Sequence, residues 1–398
     1  MTNLFQDALS IKDDLVKDRR FFHQNPELGL KLYKTADYVE ARLKEMGYEP
    51  QRVGEAGVTA LIGKEGGKTF LLRGDMDALP VVEEADVEFK STNGNMHGCG
   101  HDFHAANLLG AAKLLKMHED KLEGQVKLMF QPAEETMEGA KMMIENGVLE
   151  NPKVDAALGI HVFVNIDAPV GTVTFMGRKS IFAAVDWFTI EIQGKGCHGA
   201  QPHNGVDPLT VMTHIHMALK NINAREVDPS DDIVLTVGQM HGGNTSNVIP
   251  DTAMMSGTIR TVKNETRAMV KKRVEEIVDF TAKSFRAEAK VVWGAGAPVL
   301  FHDTDLYNAA KGYLLEVEGL NVIDNDDIGV DGSLMGSEDF AYIANEVPSL
   351  FLSAAAGGPN EGCTFPLHHP KALFDERALP ASAAVYAQIA MRWLEDNK

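Results

Sequence analysis

Residues 97–104 of the chain carry three histidines, one cysteine and one aspartate in the order His-Gly-Cys-Gly-His-Asp-Phe-His. Thiol and imidazole groups are ligands that zinc and other divalent transition metals accept. Gly98 and Gly100 leave the backbone free to turn, so Cys99 and His101 can point toward one centre. A polar loop with chance histidines would read the same, because short Cys/His patterns outside finger spacing are weak indicators. A metal site therefore needs further ligands elsewhere in the chain.

Polar side chains follow three predicted strands at the point where each strand ends. The strands and the residues after them are 70–73 with Asp75 and Asp77, 125–130 with Glu134 and Glu135, and 156–160 with His161. In a mostly parallel α/β sheet the carboxyl ends of the strands meet at one edge, where sites are usually placed. Each residue alone has an ordinary alternative, such as a turn-forming aspartate or a solvated glutamate. Their joint occurrence, with His368 from late in the chain, favours a metal site.

The adjacent carboxylates Glu134 and Glu135 suggest how such a site would work. Neighbouring residues on an extended loop point apart, so Glu135 can bind metal while Glu134 faces a water activated by the metals. We therefore predict Glu134 as the general base and acid. Asp77 is predicted to hydrogen-bond a ligand imidazole and fix its tautomer.

Composition narrows the class of protein. The 398 residues include 57 acidic and 38 basic side chains, and the formal net charge is −19. This charge repels nucleic acid and anionic membrane surfaces, so neither is an expected partner. Three cysteines, an odd count, cannot form a disulfide framework. Without a signal-like start or an apolar run that spans a bilayer, we expect a cytoplasmic protein.

The hydrophobic pattern changes at about residue 184. Earlier strands read as continuous apolar runs, whereas Phe188, Ile190 and Ile192 alternate with polar or exposed positions. Residues 184–295 then follow the order βαββαβ of a ferredoxin-like module. We predict a discontinuous, mostly parallel α/β catalytic domain at 1–183 and 296–398, with this module inserted at 184–295.

Six motifs in order along the chain carry a family resemblance. They are Asp75-Met76-Asp77-Ala78-Leu79-Pro80, Cys99-Gly100-His101-Asp102, Pro132-Ala133-Glu134-Glu135, Gly159-Ile160-His161, Gly196-Cys197-His198-Gly199-Ala200-Gln201-Pro202-His203 and His368-His369-Pro370. Together they resemble the metal-dependent amidohydrolase branch of the aminoacylase and carboxypeptidase superfamily. That branch includes hippurate hydrolases, auxin-conjugate hydrolases and N-acetyldiaminopimelate deacetylases. The resemblance covers essentially the whole chain.

The resemblance implies a site of two divalent metal ions, which could be zinc, manganese, cobalt or nickel. The implied ligands are Cys99, His101, Glu135, His161 and His368. It also implies that the inserted module is a lid and dimerisation domain in a homodimer or dimer-based oligomer, and that His198 from it stabilises the oxyanion, often in the partner subunit. Asn247 and Arg260 match positions that hold the substrate carboxylate, which suits a guanidinium fork. The alternative for Arg260 is a surface ion pair.

The function predicted from these features is hydrolysis of an N-acyl amino acid, a small molecule, to a carboxylic acid and an amino acid. One alternative is a dinuclear-metal carboxypeptidase or dipeptidase. A second is a thiol-dependent hydrolase using Cys197 and His198, and a third is a binding protein that kept the fold. The ligand could be His368 or His369, and Asp102 is expected to cap a helix or support a ligand.

The sequence departs from the family pattern at three positions. His369 stands where a small polar residue is more common, Phe163 where tryptophan is common, and Cys197 where glycine, serine or alanine is usual. The last two could alter acyl-group or side-chain preference. Neither of those two touches the predicted chemistry, whereas His369 leaves open which of His368 and His369 is the ligand.

Overall fold

The computed structural model describes residues 3–177, 180–330 and 334–398. The chain forms two compact units. The first unit comprises Met1–Ile181, Phe301–Ser333 and Asp339–Lys398, and the second comprises Phe182–Leu300 and Leu334–Glu338. The return of Leu334–Glu338 to the second unit was not predicted from the sequence.

The first part of the chain contains both helices and strands. They are α1 Leu4–Ser10, α2 Lys12–Gln24, α3 Tyr33–Glu45, β1 Gln51–Val53, β2 Gly57–Gly63, β3 Thr69–Asp75, α4 His101–Met117, β4 Gln125–Gln131, α5 Gly139–Glu145, β5 Ala156–Phe163, β6 Val173–Phe175 and β7 Ser180–Phe182.

The later elements include those of the second unit and the return to the first. They are β8 Ala184–Gln193, β9 Cys197–His198, α6 Pro208–Asn221, β10 Ile233–Gly242, β11 Val248–Ile249, β12 Thr252–Thr261, α7 Asn264–Ser284, β13 Glu288–Ala297, β14 Leu300–Phe301, α8 Thr304–Leu315, β15 Val322–Asp324, α9 Asn325–Ile328, α10 Ala341–Ala344, β16 Ser349–Ala355 and α11 Leu379–Asp396.

The first unit is built on a mixed eight-stranded sheet in the order β1-β2-β4-β3-β5-β16-β6-β15. The central strands β4, β3, β5 and β16 are parallel, whereas β1, β2 and β6 run antiparallel to the neighbours that lie toward the centre. The α/β class predicted from the sequence is confirmed, with parallel pairing confined mainly to the centre. The first pair is antiparallel because a short turn, rather than a helix, joins β1 to β2.

The central strands are buried on both faces, as their continuous apolar sequences predicted. Every residue of β3 is buried, and the core of this unit runs from α4 through β3 and β5 to α11. Helix α4 is buried from His101 to Leu115 except at Lys113, so its N-terminal end is firmly held. This rigidity matters because α4 begins inside the candidate site described below.

The second unit has a four-stranded antiparallel sheet in the order β10-β12-β8-β13, with α6 and α7 contributing to its apolar core. The element order βαββαβ is the ferredoxin-like order predicted from the sequence. Along β8 the side chains of Phe188, Ile190 and Ile192 are buried while Trp187 and Glu191 are exposed, which is the predicted alternation. Its role as a lid or dimerisation domain stays a prediction.

A search of the part of the chain that the structure describes finds no helix with both the length and the apolar character needed to cross a membrane.

Candidate metal centre

The start of helix α4 places the Cys/His run. The helix begins at His101, whereas the apolar spacing of Leu108, Leu109, Ala112 and Leu115 in the sequence predicts a start at Ala105. Gly100 precedes it with φ +87°, in the left-handed region that glycine adopts without strain. Cys99 therefore lies on the loop and His101 in the first turn, and the tight bend between them lets both side chains face one cavity.

Five side chains from four separate segments of the chain meet at this point. The Sγ atom of Cys99 lies 3.4 Å from Nε2 of His161 and 3.2 Å from Nε2 of His368. Nε2 of His368 is 3.5 Å from Oε1 of Glu135, and Nε2 of His101 is 4.0 Å from the same oxygen. The structure thus brings together the five residues whose types suggested ligands.

The imidazoles are oriented through their other ring nitrogens. Nδ1 of His101 donates to the carbonyl oxygen of Asp77 at 2.9 Å, and Nδ1 of His161 donates to the carbonyl oxygen of Val162 at 2.7 Å. Each bond leaves Nε2 as the nitrogen with a lone pair directed into the cluster. Such an anchor fixes the tautomer that a metal ligand requires.

Two buried polar atoms of the cluster lack a hydrogen-bond partner among the described residues. They are Nε2 of His101 and Oε1 of Glu135. A buried polar atom that is left unpaired costs free energy. The two atoms therefore indicate a bound group that pairs with them. Thiol, imidazole and carboxylate donors also form triads whose atoms lie within 4.8 Å of one another, including Cys99 with His101 and His161, and Cys99 with Glu135 and His368. The residues present fit divalent transition metals.

A tight turn after β4 presents the two glutamates. Ala133 has φ +57°, a rare value for a residue with a side chain, and strained backbone of this kind is found at functional sites. The carboxylate of Asp77 accepts the main-chain amides of Glu134 and Glu135, each at 3.0 Å. The loop is therefore a turn fixed by Asp77 rather than the extended segment expected. Asp77 orients His101 through its carbonyl oxygen, while its carboxylate holds the turn.

The protein environment of the cluster disfavours anions in the absence of a cation. Burial raises the pKa of the Cys99 thiol and raises the pKa of Glu135 to about 7. Burial lowers the pKa of His161. Burial also opposes protonation of His101, but the carboxylate of Asp75 and other neighbours outweigh it and raise its pKa. A divalent cation would favour the thiolate and the carboxylate and so offset the first two shifts.

Two other residues of the Cys/His run, His104 and Asp102, have partners of their own. Both ring nitrogens of His104 are used, Nδ1 by Asp75 and Nε2 by the amide of Val162. Asp102 lies in the first turn of α4, after the N-cap, and its Oδ2 accepts from Nε of Arg19 and Nδ1 of His23, both at 2.8 Å. It ties α4 to α2, and it is not the capping residue that was one of the expectations.

The two neighbouring histidines near the end of the chain differ in position. His368 faces Cys99 and Glu135, and its φ of +66° is a strained value that turns it toward the cluster. Nδ1 of His369 accepts the amide of Lys371, and its ring stacks on another aromatic side chain outside the cluster. The geometry therefore favours His368 as the ligand.

Three predicted site residues belong to the second unit. His198 on β9 is exposed and pairs with Val248, next to Asn247. Arg260 lies toward the other end of β12, where its guanidinium donates to the carbonyl oxygen of Met335 at 2.6 Å. Thr252, at the end of β12 near β9, and Arg260 are eight residues apart, or about 26 Å along an extended strand. Within one chain His198 and Asn247 thus lie together, and Arg260 lies far from both.

A buried charge network under the cluster was missed by the sequence reasoning. Arg73 is fully buried and donates to Asp75 at 2.7 Å, to Gln131 at 2.9 Å and to Asp339 at 3.0 Å. Oδ2 of Asp339 in turn accepts the amide of Ala140 at 2.9 Å. The sequence signal for this network was Arg73, a single charged residue at the end of an otherwise apolar strand predicted to be buried. Charged residues are almost never fully buried unless they are paired.

Comparisons with known proteins agree on one family. The profile of peptidase family M20/M25/M40 matches residues 71–392. The chain is similar to N-acetyl-L-cysteine deacetylase of Bacillus subtilis, with 38% identity over 98% of this chain and 90% of that protein. It is also similar to thermostable carboxypeptidase 2 of Saccharolobus solfataricus, with 36% identity over 98% of each. Among solved structures, the Bacillus subtilis YXEP protein, described as a dinuclear metal binding peptidase from the M20 family, superposes with a TM-score of 0.80 at 32% identity, over 97% of this chain and 99% of that one.

Proposed function

Because the chain belongs to peptidase family M20/M25/M40, we propose that it hydrolyses the amide bond of N-acyl amino acids to a carboxylic acid and a free amino acid. Family membership confirms the resemblance described from the sequence motifs and the prediction of a hydrolytic enzyme. The Bacillus relative named as an N-acetyl-L-cysteine deacetylase supports this substrate class. The observation that carries the proposal is the cluster of Cys99, three imidazoles and two glutamates at the carboxyl edge of the sheet.

We assign five residues to two divalent metal ions, which could be zinc, manganese, cobalt or nickel. They are Cys99, His101, Glu135, His161 and His368. The fit rests on their mutual distances, on the two unpartnered buried atoms and on the mix of thiol, imidazole and carboxylate donors. Two such ions would polarise the substrate carbonyl and lower the pKa of a water toward about 7.

Glu134 is the proposed general base and acid. Glu135 shares a donor group with Cys99 and His368, which favours it as the metal ligand and leaves the role of base to Glu134. Its Oε2 lies 3.9 Å from Nε2 of His101, so it faces the cluster. We expect Glu134 to take a proton from the attacking water as the oxygen–carbon bond forms. It then delivers that proton to the amide nitrogen as the carbon–nitrogen bond breaks.

The positions of the proposed substrate-binding residues suggest that the protein is an oligomer. Arg260 and Asn247 lie near opposite ends of β12, so one chain cannot place both on the same small carboxylate. We propose that the protein is a homodimer in which His198 and Asn247 of one chain serve the site of the other, with His198 stabilising the oxyanion and Asn247 binding the substrate. Arg260 is the residue proposed to bind the substrate carboxylate. A cytoplasmic location is also proposed, since all three cysteines are free thiols.

A carboxypeptidase or dipeptidase remains the second candidate, because a relative with 36% identity is named as a carboxypeptidase. The thiol-dependent alternative is less favoured. Cys197 and His198 are adjacent on strand β9, where successive side chains point to opposite faces, and Nδ1 of His198 accepts the amide of Ala200 at 3.0 Å.

The testing experiment is a hydrolysis panel on protein reconstituted separately with each of the four metals. It compares N-acetyl amino acids, hippurate and longer acyl amino acids with unacylated dipeptides and with C-terminal cleavage of longer peptides. We expect the acyl amino acids to give the highest kcat/KM, with activity removed by a chelator and restored by metal. Preference for dipeptides or longer peptides would support the second candidate, and inactivity across the panel with metal bound would refute the proposal.

A further inference from the structure

The central sheet opens between β3 and β5 before either strand ends. The two strands pair from Phe70 and Ala156 up to Arg73 and Gly159. Beyond that point β3 stays paired with β4, and β5 stays paired with β16. The last residues of β3 and β5 therefore stay paired with β4 and β16, respectively, and no longer pair with each other. The candidate ligand His161 lies on β5 in this split segment.

A tyrosine from helix α11 bridges the point where the split begins. The hydroxyl of Tyr386 donates to the carbonyl oxygen of Arg73 on β3 at 2.6 Å and accepts the amide of Ile160 on β5 at 3.0 Å. Its side chain is fully buried. One hydroxyl thus stands between two backbone groups that would otherwise face each other across the ladder.

A histidine from helix α4 bridges the split one step further out. Nε2 of His104 accepts the amide of Val162 on β5 at 2.9 Å, so the ring proton is on Nδ1. Nδ1 donates to Oδ1 of Asp75 on β3. Asp75 is itself fixed by Arg73 at 2.7 Å. Since both ring nitrogens are used, His104 acts as a strut between the strands and not as a ligand.

The residue that His104 holds also orients the ligand His161. The amide of Val162 is bound by His104, and its carbonyl oxygen accepts from Nδ1 of His161 at 2.7 Å. A shift of Val162 would therefore turn the imidazole of His161, whose Nε2 faces Cys99 at 3.4 Å. His104 therefore acts on the ligand His161 through a single intervening residue, Val162.

Helix α4 can place His104 there only because Gly74 has no side chain. A Cβ atom at position 74 would lie 2.8 Å from the carbonyl oxygen of His104 and 3.2 Å from Cβ of Leu108. Contacts under 3.0 Å with backbone atoms force a shift. The close packing of α4 on β3 at Gly74 therefore fixes how near His104 lies to the two strands.

We infer that His104 and Tyr386 are positioning residues that set the gap between β3 and β5 and thereby the placement of His161 in the metal cluster. The inference rests on the proposed function only in requiring metals at this cluster. Residues that support a metal ligand from behind typically change metal affinity by about 10–100-fold when altered.

The test uses three variants of the full chain. Tyr386→Phe removes only the hydroxyl. His104→Asn can keep a donor for Asp75 near the position of Nδ1 but loses the acceptor for Val162, whereas His104→Gln keeps an acceptor near the position of Nε2 and loses the donor. The matched control is Tyr48→Phe, which removes a buried hydroxyl bonded to the carbonyl oxygen of Ala112 in the same unit.

Zinc affinity is measured by competition with a chromophoric chelator, the cobalt-loaded proteins are compared by visible absorption, and thermal melts establish that each variant is folded. We expect His104→Asn to lose about 10–100-fold in affinity and to change the cobalt spectrum, with His104→Gln closer to the unaltered protein and Tyr386→Phe about tenfold weaker. Tyr48→Phe should change neither reading.

Unchanged affinity and spectrum in folded Tyr386→Phe and His104→Asn would overturn the inference, as would an equal change in Tyr48→Phe. If His104→Asn does not fold, the inference is tested by the difference in zinc affinity and cobalt spectrum between Tyr386→Phe and Tyr48→Phe. None of these readings requires turnover, so a failure of the proposed substrate class is distinguishable from a failure of this inference.

Discussion

Nε2 of His368 lies 3.2 Å from Sγ of Cys99, although the two residues are 269 positions apart in the chain. Cys99 comes from the loop before α4, and His368 from the loop after β16. The contact closes the cluster at the carboxyl edge of the sheet. The contact also suggests a direct test of which histidine, His368 or His369, binds metal.

Replacing His368 by alanine should remove a ligand, whereas the same change at His369 should not. We expect His368→Ala to bind less than two metal ions per chain and to lose most activity, because its Nε2 faces Cys99 and Glu135. The matched control is His369→Ala, since the ring of His369 accepts the amide of Lys371 and stacks on Phe365. Metal content by elemental analysis decides, and equal losses in both variants would contradict the assignment.

Glu134→Gln should separate metal binding from catalysis. The amide keeps the size of the side chain but cannot carry a proton between water and amine, so kcat should fall by about 10²–10⁴-fold with metal content unchanged. The control is Glu138→Gln, an exposed glutamate on the same turn whose carboxylate bonds Thr136. Near-normal turnover of Glu134→Gln would remove Glu134 from the mechanism.

Asp77→Asn should loosen the turn that carries both glutamates. The carboxylate accepts two main-chain amides, and an amide side chain can accept with only one of its two terminal atoms. We expect about 1–3 kcal/mol lower stability from the unpaired amide, together with weaker metal binding. Urea unfolding and chelator competition measure the two effects. Asp86→Asn, on an exposed loop, serves as the control, and a variant with unchanged stability would show that Asp77 does not fix the turn.

Mixing two inactive variants tests whether His198 serves the partner chain. Glu134→Gln and His198→Ala each lack one proposed group. If His198 acts across the dimer, each hybrid dimer has one complete site, and an equal mixture that exchanges freely should recover about a quarter of full activity. If His198 acts within its own chain, no site in the hybrid is complete and the mixture stays inactive. Exchange is verified by mass spectrometry of the hybrids.

Much of this arrangement could be predicted from the sequence. Continuous apolar runs predicted the buried strands β3, β4 and β5, and the alternation at Phe188, Ile190 and Ile192 predicted a half-exposed strand. Both patterns follow directly from which faces of a strand are buried. The candidate ligands could be proposed because their types are chemically distinctive and because parallel strands bring their carboxyl ends to one edge.

The start of α4 was predicted less well. The apolar face placed it at residue 105, yet the helix begins at His101. Periodicity detects the buried stripe of a helix but not a polar first turn held by partners such as Arg19 and His23. The loop expected at Glu134 and Glu135 likewise became a turn because Asp77, far away in sequence, accepts both amides.

The sequence by itself determined the fold class, the family and the set of side chains able to hold metals, because these depend on local pattern and residue type. Only the tertiary structure decided what each residue touches. It placed His368 rather than His369 in the cluster, brought the carbonyl oxygen of Asp77 nearer than its carboxylate to Nδ1 of His101, and made His104 a bridge between two strands. These outcomes depend on contacts between residues distant in the chain, which sequence spacing does not encode.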